Sequence, residues 1–325
     1  MARQRPLDIN SFAERFEAIA TNVEKVIRGK DEVVRLALTC MVAEGHLLIE
    51  DVPGVGKTSL AKALAASLDC EWRRIQFTPD LLPSDVTGVT VYNRASSEFD
   101  FRHGPVFAEI VLADEINRAS PRTQSALLEA MEERQVTVDT STYRLPSPFM
   151  VIATQNPIEH QGTYPLPDSQ LDRFLMRIDV GYPDRASEVD ILESRSGVEP
   201  LDELRPVATT SDINAMVGAA HSVHVAPSIR SYIVDLADTT RGHPALALGM
   251  SPRSSLALQR AARARAASLG RDYVIPDDVK SLAAPVLEHR LTLSAEADMS
   301  GTDVSEVLTE VLSTVPVPTG RAATG

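Results

Sequence analysis

A short apolar run, a glycine-rich turn and the start of a helical pattern follow one another between residues 47 and 64. Leu47–Glu50 has the composition of a buried strand, and the turn Asp51–Gly56 leads directly into Lys57–Ser59. Glycines let backbone N–H groups turn inward onto an anion, and the helix start adds its positive end. The order of these pieces predicts a phosphate-binding loop in an α/β domain with a mainly parallel sheet.

Each side chain of this loop has a predicted chemical task. Lys57 has the length to reach the β- and γ-phosphates of a nucleotide, and the Thr58 hydroxyl suits Mg²⁺. A glycine-rich turn with an unrelated lysine is the alternative. Asp51 stands where the common pattern has glycine; aspartate tolerates a left-handed backbone, but it brings an acid near the phosphates, and its effect on nucleotide affinity stays open. The candidate nucleotide contacts are Pro53, Gly54, Val55, Gly56, Lys57, Thr58 and Ser59.

A second apolar run, Ile110–Ala113, ends in the acid pair Asp114 and Glu115. Ligands of open α/β sheets bind at the carboxyl ends of the strands, which is where these acids fall. Asp114 suits a contact to Mg²⁺, and Glu115 suits polarising an attacking water. The alternative is a strand that ends in two solvated acids.

The pattern along the chain changes near residue 185. Before that point, strand-like runs alternate with helical patterns, and 74–78 and Phe149–Ala153 are further strand candidates. After it the pattern is helical. The predicted helices are Ala186–Ser196, Ser211–Ala219, Ser228–Thr240, Pro252–Leu269, Asp277–Pro285 and 303–312. We therefore predict a nucleotide-binding α/β domain with N-terminal helices over 1–185, a helical domain over 186–313 and a flexible tail over 314–325.

Composition narrows the function classes. The 325 residues include 32 Lys and Arg against 45 Asp and Glu, a net charge of −13 that opposes binding to a phosphate backbone. The amino-terminal sequence lacks the apolar core of a signal peptide, and no apolar run has the length of a membrane span. Cys40 and Cys70 form neither a metal pattern nor a disulfide framework. These features predict a cytoplasmic protein without a direct membrane span.

Five later runs have a more specific pattern, namely Leu112–Ala119, Gln124–Glu133, Ala153–Pro157, Gly162–Pro167 and Gln170–Phe174. They resemble the MoxR family of AAA+ ATPases, and the resemblance extends over about residues 20 to 318. The resemblance implies an AAA+ three-layer domain with a phosphate loop and a parallel central sheet, followed by a small all-helical lid.

The resemblance also implies roles for three further side chains. Asn156 matches the polar sensor that orients the hydrolytic water beside Glu115; a turn cap before Pro157 is the alternative. Arg173 matches an arginine finger presented to the nucleotide of a neighbouring subunit; a surface ion pair with a nearby aspartate is the alternative. Arg253 matches the second sensor, on the first turn of a helix capped by Ser251; a solvated arginine at a helix start is the alternative. The resemblance is to a branch of the AAA+ proteins in which the lid is displaced, so action of Arg253 within its own subunit or on a neighbouring one stays open.

Two insertions and one turn are also similar to the same branch of the AAA+ proteins. Residues 88–104 match an insert in the second helix, and 135–146 match a hairpin before the first sensor. We expect both to carry exposed aromatic side chains for a partner, or else to pack these against the domain; the aromatic residues are Tyr92, Phe99, Phe101 and Tyr143. The family packs adenine at positions that match Val26, Ile27 and Gly29.

The implied activity is hydrolysis of ATP with Mg²⁺ by a homo-hexamer that matures or remodels a protein client. A von Willebrand factor A domain protein is an implied partner, and nucleic acid is not an expected one. Three alternatives remain. They are a magnesium-chelatase-like ATPase subunit, a nucleic-acid motor disfavoured by the charge of −13, and a scaffold that does not hydrolyse ATP.

Overall fold

The computed structural model describes residues 7–52, 54–95, 97–156, 162–183, 185–186, 188–189 and 200–318. Two helices open the chain, α1 (Ile9–Glu24) and α2 (Asp31–Val42). The Asp8 carboxylate caps α1 by accepting hydrogen bonds from the backbone N–H groups of Asn10 and Ser11. Both helices bury an apolar face, which packs them onto the domain that follows.

A five-stranded sheet forms the centre of that domain. In chain order its strands are β1 (Leu47–Glu50), β2 (Trp72–Gln76), β5 (Ile110–Asp114), β8 (Met150–Gln155) and β9 (Met176–Ile178). The spatial order is β2-β5-β8-β1-β9, and every neighbouring pair is parallel. All five strands therefore end at one edge of the sheet, called here the carboxyl edge, and begin at the opposite amino edge.

Alternate residues of these strands enter two separate cores. Leu47, Leu112 and Ile152 face a core shared with α1, α2 and α3 (Lys57–Ser67). Leu48, Val111 and Val151 face a core with α4 (Pro83–Thr87) and α5 (Pro121–Glu133). A sheet buried on both faces requires continuous apolar strands, which explains the runs seen in the sequence. The predicted three-layer α/β architecture is confirmed.

Two hairpins extend from this domain. β3 (Gly88–Asn93) and β4 (Glu98–His103) interrupt the helical path between α4 and the 3₁₀ turn Pro105–Phe107. β6 (Gln135–Val138) and β7 (Ser141–Arg144) follow α5. The predicted insert in 88–104 and the predicted hairpin in 135–146 are therefore both antiparallel hairpins.

The region after residue 200 is helical with one small sheet. A short strand pair, β10 (Leu246–Leu248) and β11 (Thr292–Leu293), shows that the predicted lid is not entirely helical. The short helix α6 (Asp168–Leu171) still belongs to the preceding domain and comes before β9. The helices after residue 200 are α7 (Pro200–Glu203), α8 (Thr210–Ser222), α9 (Pro227–Arg241), α10 (Pro252–Ser268), α11 (Pro276–Leu287), α12 (Ala295–Met299) and α13 (Val304–Thr314).

Several predicted boundaries change. The strand expected at 74–78 begins at Trp72, because its pairing with β5 starts at Ile110. The strand expected at 149–153 continues through Gln155, because Glu50 of β1 pairs with that residue. Thr314 still belongs to α13 and Val315 is buried, so the described chain stays packed past the expected start of the tail. Most of the helix predicted at 186–196, and residues 319–325, lie outside the described residues.

Candidate functional site

The phosphate loop joins the carboxyl end of β1 to α3. Gly54 and Gly56 have φ of 90° and 95°, a region that side chains disfavour, and no described atom lies within 4 Å of a Cβ built on either. The glycines are therefore required by backbone conformation rather than by lack of space. Lys57 begins α3, and its Nζ donates to the Asp51 carbonyl oxygen at 2.7 Å. Pro53 lies outside the described residues.

Lys57 is half-buried, and this burial lowers its pKa, while the nearby acids Asp51, Asp114 and Glu115 oppose that effect. The charged ammonium is the form that binds an anion, and the three acids favour that form. Val55, Thr58 and Ser59 are half-buried beside it, on the loop and on the first turn of α3.

The Asp51 carboxylate binds the backbone of the segment that follows β9. Its Oδ2 accepts hydrogen bonds from the backbone N–H groups of Val180, at 2.9 Å, and Gly181. Its Oδ1 accepts from Val52 N at 2.7 Å. The carboxylate therefore ties the start of the loop to the chain leaving β9, and its effect on nucleotide affinity stays a question for experiment.

That chain also contacts the turn between α1 and α2. Lys30 Nζ donates to the Tyr182 carbonyl oxygen at 2.7 Å. Val26, Ile27 and Gly29 lie in this turn, with Ile27 buried and Gly29 at a φ of 69°. The structure therefore connects the predicted adenine-contacting turn to the phosphate loop through residues 180–182.

Asp114 is the last residue of β5, and both of its carboxylate oxygens accept hydrogen bonds. Its Oδ1 accepts from the Thr154 hydroxyl at 2.6 Å, and its Oδ2 accepts from Arg74 Nη2 at 2.6 Å and Nε at 3.1 Å. The carboxylate and the Thr58 hydroxyl are the hard oxygen donors that Mg²⁺ prefers. No group of three acids or other metal ligands occurs among the described residues. This donor set fits an ion that keeps water and substrate oxygens as its remaining ligands.

Glu115 follows with a left-handed backbone, at φ 56° and ψ 50°. Its N–H donates to the Thr154 hydroxyl at 2.9 Å, so Thr154 links both acids to β8. Its Oε2 accepts from Gln76 Nε2 at 2.8 Å and from Arg118 Nη1 at 2.9 Å. Asn156 is buried directly after β8, at the same edge of the sheet.

Sequence reasoning missed four side chains that hold the acid pair, namely Arg74, Gln76, Arg118 and Thr154. Thr154 and Arg118 fall inside runs that carry the family resemblance, which is a signal that could have found them. Arg74 and Gln76 fall in the weakest predicted strand, and only its parallel pairing with β5 brings them to the site.

Arg173 and Arg253 lie together, but at the amino edge of the sheet. Arg173 precedes β9, whose Met176 pairs with Leu47 at the beginning of β1, whereas the phosphate loop follows the end of β1. Glu132 accepts from both arginines, at 3.2 Å from Arg173 Nε and 3.0 Å from Arg253 Nη1. The ion pair predicted as the alternative for Arg173 therefore exists, but with Glu132. Asp172 pairs with Arg253 instead, at 3.3 Å.

The aromatic residues of the hairpins divide into two pairs. Tyr92 and Phe99 are 50% and 73% exposed with ring centroids 5.2 Å apart. Phe101 and Tyr143 are half-buried and stack at 4.2 Å, so they join the two hairpins. The expectation of four exposed aromatic side chains is correct for the first pair and wrong for the second.

A parallel sheet with a phosphate loop, an acid pair on the adjoining strand edge and a helical lid defines an ATPase of the AAA+ class. Two family models agree: residues 46–176 match the ATPase family associated with various cellular activities (AAA), and residues 238–311 match the AAA lid domain.

Similar proteins identify the family within that class. The chain is 43% identical to Chaperone MoxR1 of Mycobacterium tuberculosis, over 91% of this chain and 80% of that protein. It is 31% identical to Protein MoxR of Methylorubrum extorquens, over 96% of each. It is 50% identical to the uncharacterized protein YeaC of Bacillus subtilis, over 93% of this chain and 94% of that one. The chain belongs to the MoxR family of AAA+ ATPases.

A solved structure supports the same assignment. It belongs to a proposed ATPase from Cytophaga hutchinsonii, with a TM-score of 0.89, 36% identity and coverage of 96% of this chain and 97% of that one. Within the described residues, no helix is both long and apolar enough to span a membrane.

The Asp51 contacts generate a stability prediction. Asp51→Ala removes the acceptor for the N–H groups of Val180 and Gly181, and we expect the free energy of unfolding to fall by about 1–3 kcal/mol. ATP affinity should be retained, because Lys57 contacts the main-chain oxygen of residue 51. Asp51→Asn is the matched control, since it keeps one side-chain oxygen and should lose less. Urea denaturation and nucleotide titration measure both; equal stability of Asp51→Ala and the wild type would contradict the assignment.

Proposed function

We propose that the chain hydrolyses ATP, with Glu115 as the group that accepts a proton from the attacking water. The observation that carries this is the gathering of Lys57, Asp114, Glu115 and Asn156 at the carboxyl edge. Lys57 binds the β- and γ-phosphates, and the N–H groups of the loop from Gly54 to Ser59 surround them. Asn156 orients the water, and Val26, Ile27 and Gly29 contact the adenine.

The metal of this reaction would be held by Thr58 and Asp114, where it would neutralise charge on the substrate phosphates. Arg74 holds Asp114, and Gln76 with Arg118 holds the Glu115 carboxylate. These contacts hold both acids in a fixed orientation. The ion pairs Arg74–Asp114 and Arg118–Glu115 are partly exposed. Ion pairs of this kind contribute little to stability, so exchanging them for contacts to a bound nucleotide would cost little free energy.

Two substitutions separate binding from chemistry. Lys57→Ala should weaken ATP binding and abolish turnover. Glu115→Gln should bind ATP like the wild type and lose turnover by roughly 10²–10⁴-fold, because an amide cannot accept the proton. Nucleotide titration and a phosphate-release assay give the two quantities. A wild-type rate from Glu115→Gln would remove Glu115 from its role.

We propose that Arg173 and Arg253 act on the nucleotide of a neighbouring subunit in a homo-hexamer. Both side chains are at the amino edge, and the nucleotide site of the same subunit is at the carboxyl edge. A guanidinium stays charged and spreads its charge over the phosphate oxygens of the transition state. An arginine that cannot reach its own nucleotide can do this only across an interface.

Mixing two inactive variants tests the arrangement. Arg173→Ala keeps an intact nucleotide site, and Lys57→Ala keeps an intact arginine, so mixed rings contain some complete interfaces. We expect the mixture to recover measurable ATPase activity. The matched control mixes Arg173→Ala with the double variant that carries both changes, which supplies no intact arginine. Equal activity of the two mixtures would show that Arg173 acts within its own subunit.

We propose chaperone-like maturation or remodelling of a protein client as the purpose of hydrolysis. The name Chaperone MoxR1 of a 43% identical relative supports this class of work, and a von Willebrand factor A domain partner is part of the proposal. The chain would act in the cytoplasm. The exposed pair Tyr92–Phe99 on the β3–β4 hairpin is the proposed client contact, because exposed aromatic pairs often mark interaction sites.

The Glu115→Gln protein with ATP should retain a client that the wild type with ADP releases. Changing Tyr92 and Phe99 to Ser should lose that client, while basal ATPase activity survives. Tyr273→Ser is the matched control, since Tyr273 is as exposed as Tyr92 but lies in the helical region. Affinity capture followed by mass spectrometry provides the readout. Equal capture by the hairpin variant and its control would exclude this pair as the contact.

A further inference from the structure

A cavity of about 390 Å³ lies between the amino edge of the sheet and α10, and five arginines line it. We call it the arginine pocket, defined by Arg173, Arg253, Arg260, Arg263 and Arg290. Its volume falls in the range of small-molecule sites, about 300–1,000 Å³. Apolar side chains, among them Val42 and Leu175, complete the lining. A pocket this cationic is unusual in a chain with a net charge of −13.

The spacing on α10 explains how the arginines converge. Residues 253, 260 and 263 are separated by seven and three positions, which places them on one face of a helix. Arg290 follows α11 and directs its Nη2 to the Phe174 carbonyl oxygen at 2.7 Å. Helix α10, the turn that follows α11 and the residues before β9 therefore contribute to one pocket.

The carboxylates beside this pocket do not balance its charge. Glu132 and Asp172 pair with Arg173, Arg253 and Arg290. Within the described ranges, Arg260 and Arg263 form no ion pair. Three of the five guanidinium groups thus share two carboxylates, and one further acid, Glu44, acts on Arg260 from a distance while it pairs with His221 of the lining.

Two buried donors in the pocket also lack hydrogen-bond partners among the described residues. They are Nε of Arg263 and Nη1 of Arg290, whose side chain is only 3% exposed. Burial lowers the pKa of Arg290 to about 10, which reflects the cost of holding this charge away from water. An unsatisfied buried donor is costly, and both arginines line the pocket, so an anion bound there would offset their charge.

We propose that the arginine pocket binds a phosphate-bearing anion. Guanidinium groups match phosphate oxygens in pairs of parallel hydrogen bonds, and phosphate carries enough charge to balance the arginines left unpaired. Inorganic phosphate released at a neighbouring subunit is one source of the anion, and a free nucleotide is the other. Released phosphate as the source rests on the proposed action of Arg173 across an interface. Binding of a phosphate-bearing anion to the pocket does not depend on that action.

The test measures phosphate binding in a Lys57→Ala background, in which binding at the phosphate loop is weakened, and the arginine variants below assign what remains. Inorganic phosphate, pyrophosphate, ADP and adenosine are each titrated by calorimetry without ATP. We expect the three phosphate-bearing compounds to bind and adenosine not to bind. Equal affinities for pyrophosphate and ADP would show that the pocket recognises the phosphates. A higher affinity for inorganic phosphate than for ADP would favour phosphate released by hydrolysis as the source of the anion.

Arg263→Gln and Arg260→Gln should each weaken phosphate binding by about tenfold, because each removes a charged donor. Arg265→Gln is the matched control, as it removes the same charge from α10 outside the pocket lining. Thermal unfolding checks that the variants are folded; if Arg263→Gln is not, the more exposed Arg260 carries the test, with Arg263→Lys as the charge-retaining variant.

Absence of phosphate binding to the Lys57→Ala protein, or an equal loss in Arg265→Gln, would overturn the inference. Either result leaves ATP hydrolysis untouched, because the Glu115→Gln comparison is independent of this pocket. Conversely, binding that persists while the mixed-variant experiment fails would keep the site and remove the neighbouring subunit as its source.

Discussion

The parallel direction of all five central strands is the constraint on which the rest of this molecule depends. It places every strand end at one edge, so the phosphate loop after β1, the acids after β5 and Asn156 after β8 meet there. It equally places the segment before β9 at the other edge, together with Arg173. Residues that are close in sequence, such as Arg173 and Val180, are thereby assigned to opposite ends of the domain.

Thr154 fixes the positions of the two acids at this shared edge. Its one hydroxyl donates to Asp114 and accepts from the Glu115 N–H, so it fixes both acids relative to β8. The left-handed backbone of Glu115 costs of order 1–3 kcal/mol and persists only where surrounding contacts impose it. The bond from the Glu115 N–H to Thr154 is such a contact, and it directs the carboxylate towards Gln76 and Arg118.

The sequence predicted what local pattern determines. The phosphate loop, the strand that carries Asp114 and Glu115 and the cap of α10 at Ser251 depend on neighbours within a few residues, and all are present. Contacts between distant segments were not predictable in this way. The bond of Asp51 to Val180, the sharing of Glu132 by two arginines and the stacking of Phe101 on Tyr143 each join residues more than 40 positions apart. The short strand β9 was missed because three residues carry too little periodicity.

The position of Glu132 has a consequence for the proposed ring. A subunit with its nucleotide at one edge and its arginines at the other presents unlike surfaces to its two neighbours, and contacts of that kind repeat head to tail until they close. Before a neighbour arrives, Glu132 compensates the charge of Arg173 and Arg253, which keeps two adjacent guanidinium groups from repelling each other. The paired side chains are 28–48% exposed, and ion pairs at such exposure contribute at most about 1 kcal/mol. In the proposed ring, exchange of this carboxylate for the phosphates of a neighbouring nucleotide would therefore cost little free energy, and until that exchange the pairing would hold both arginines in position.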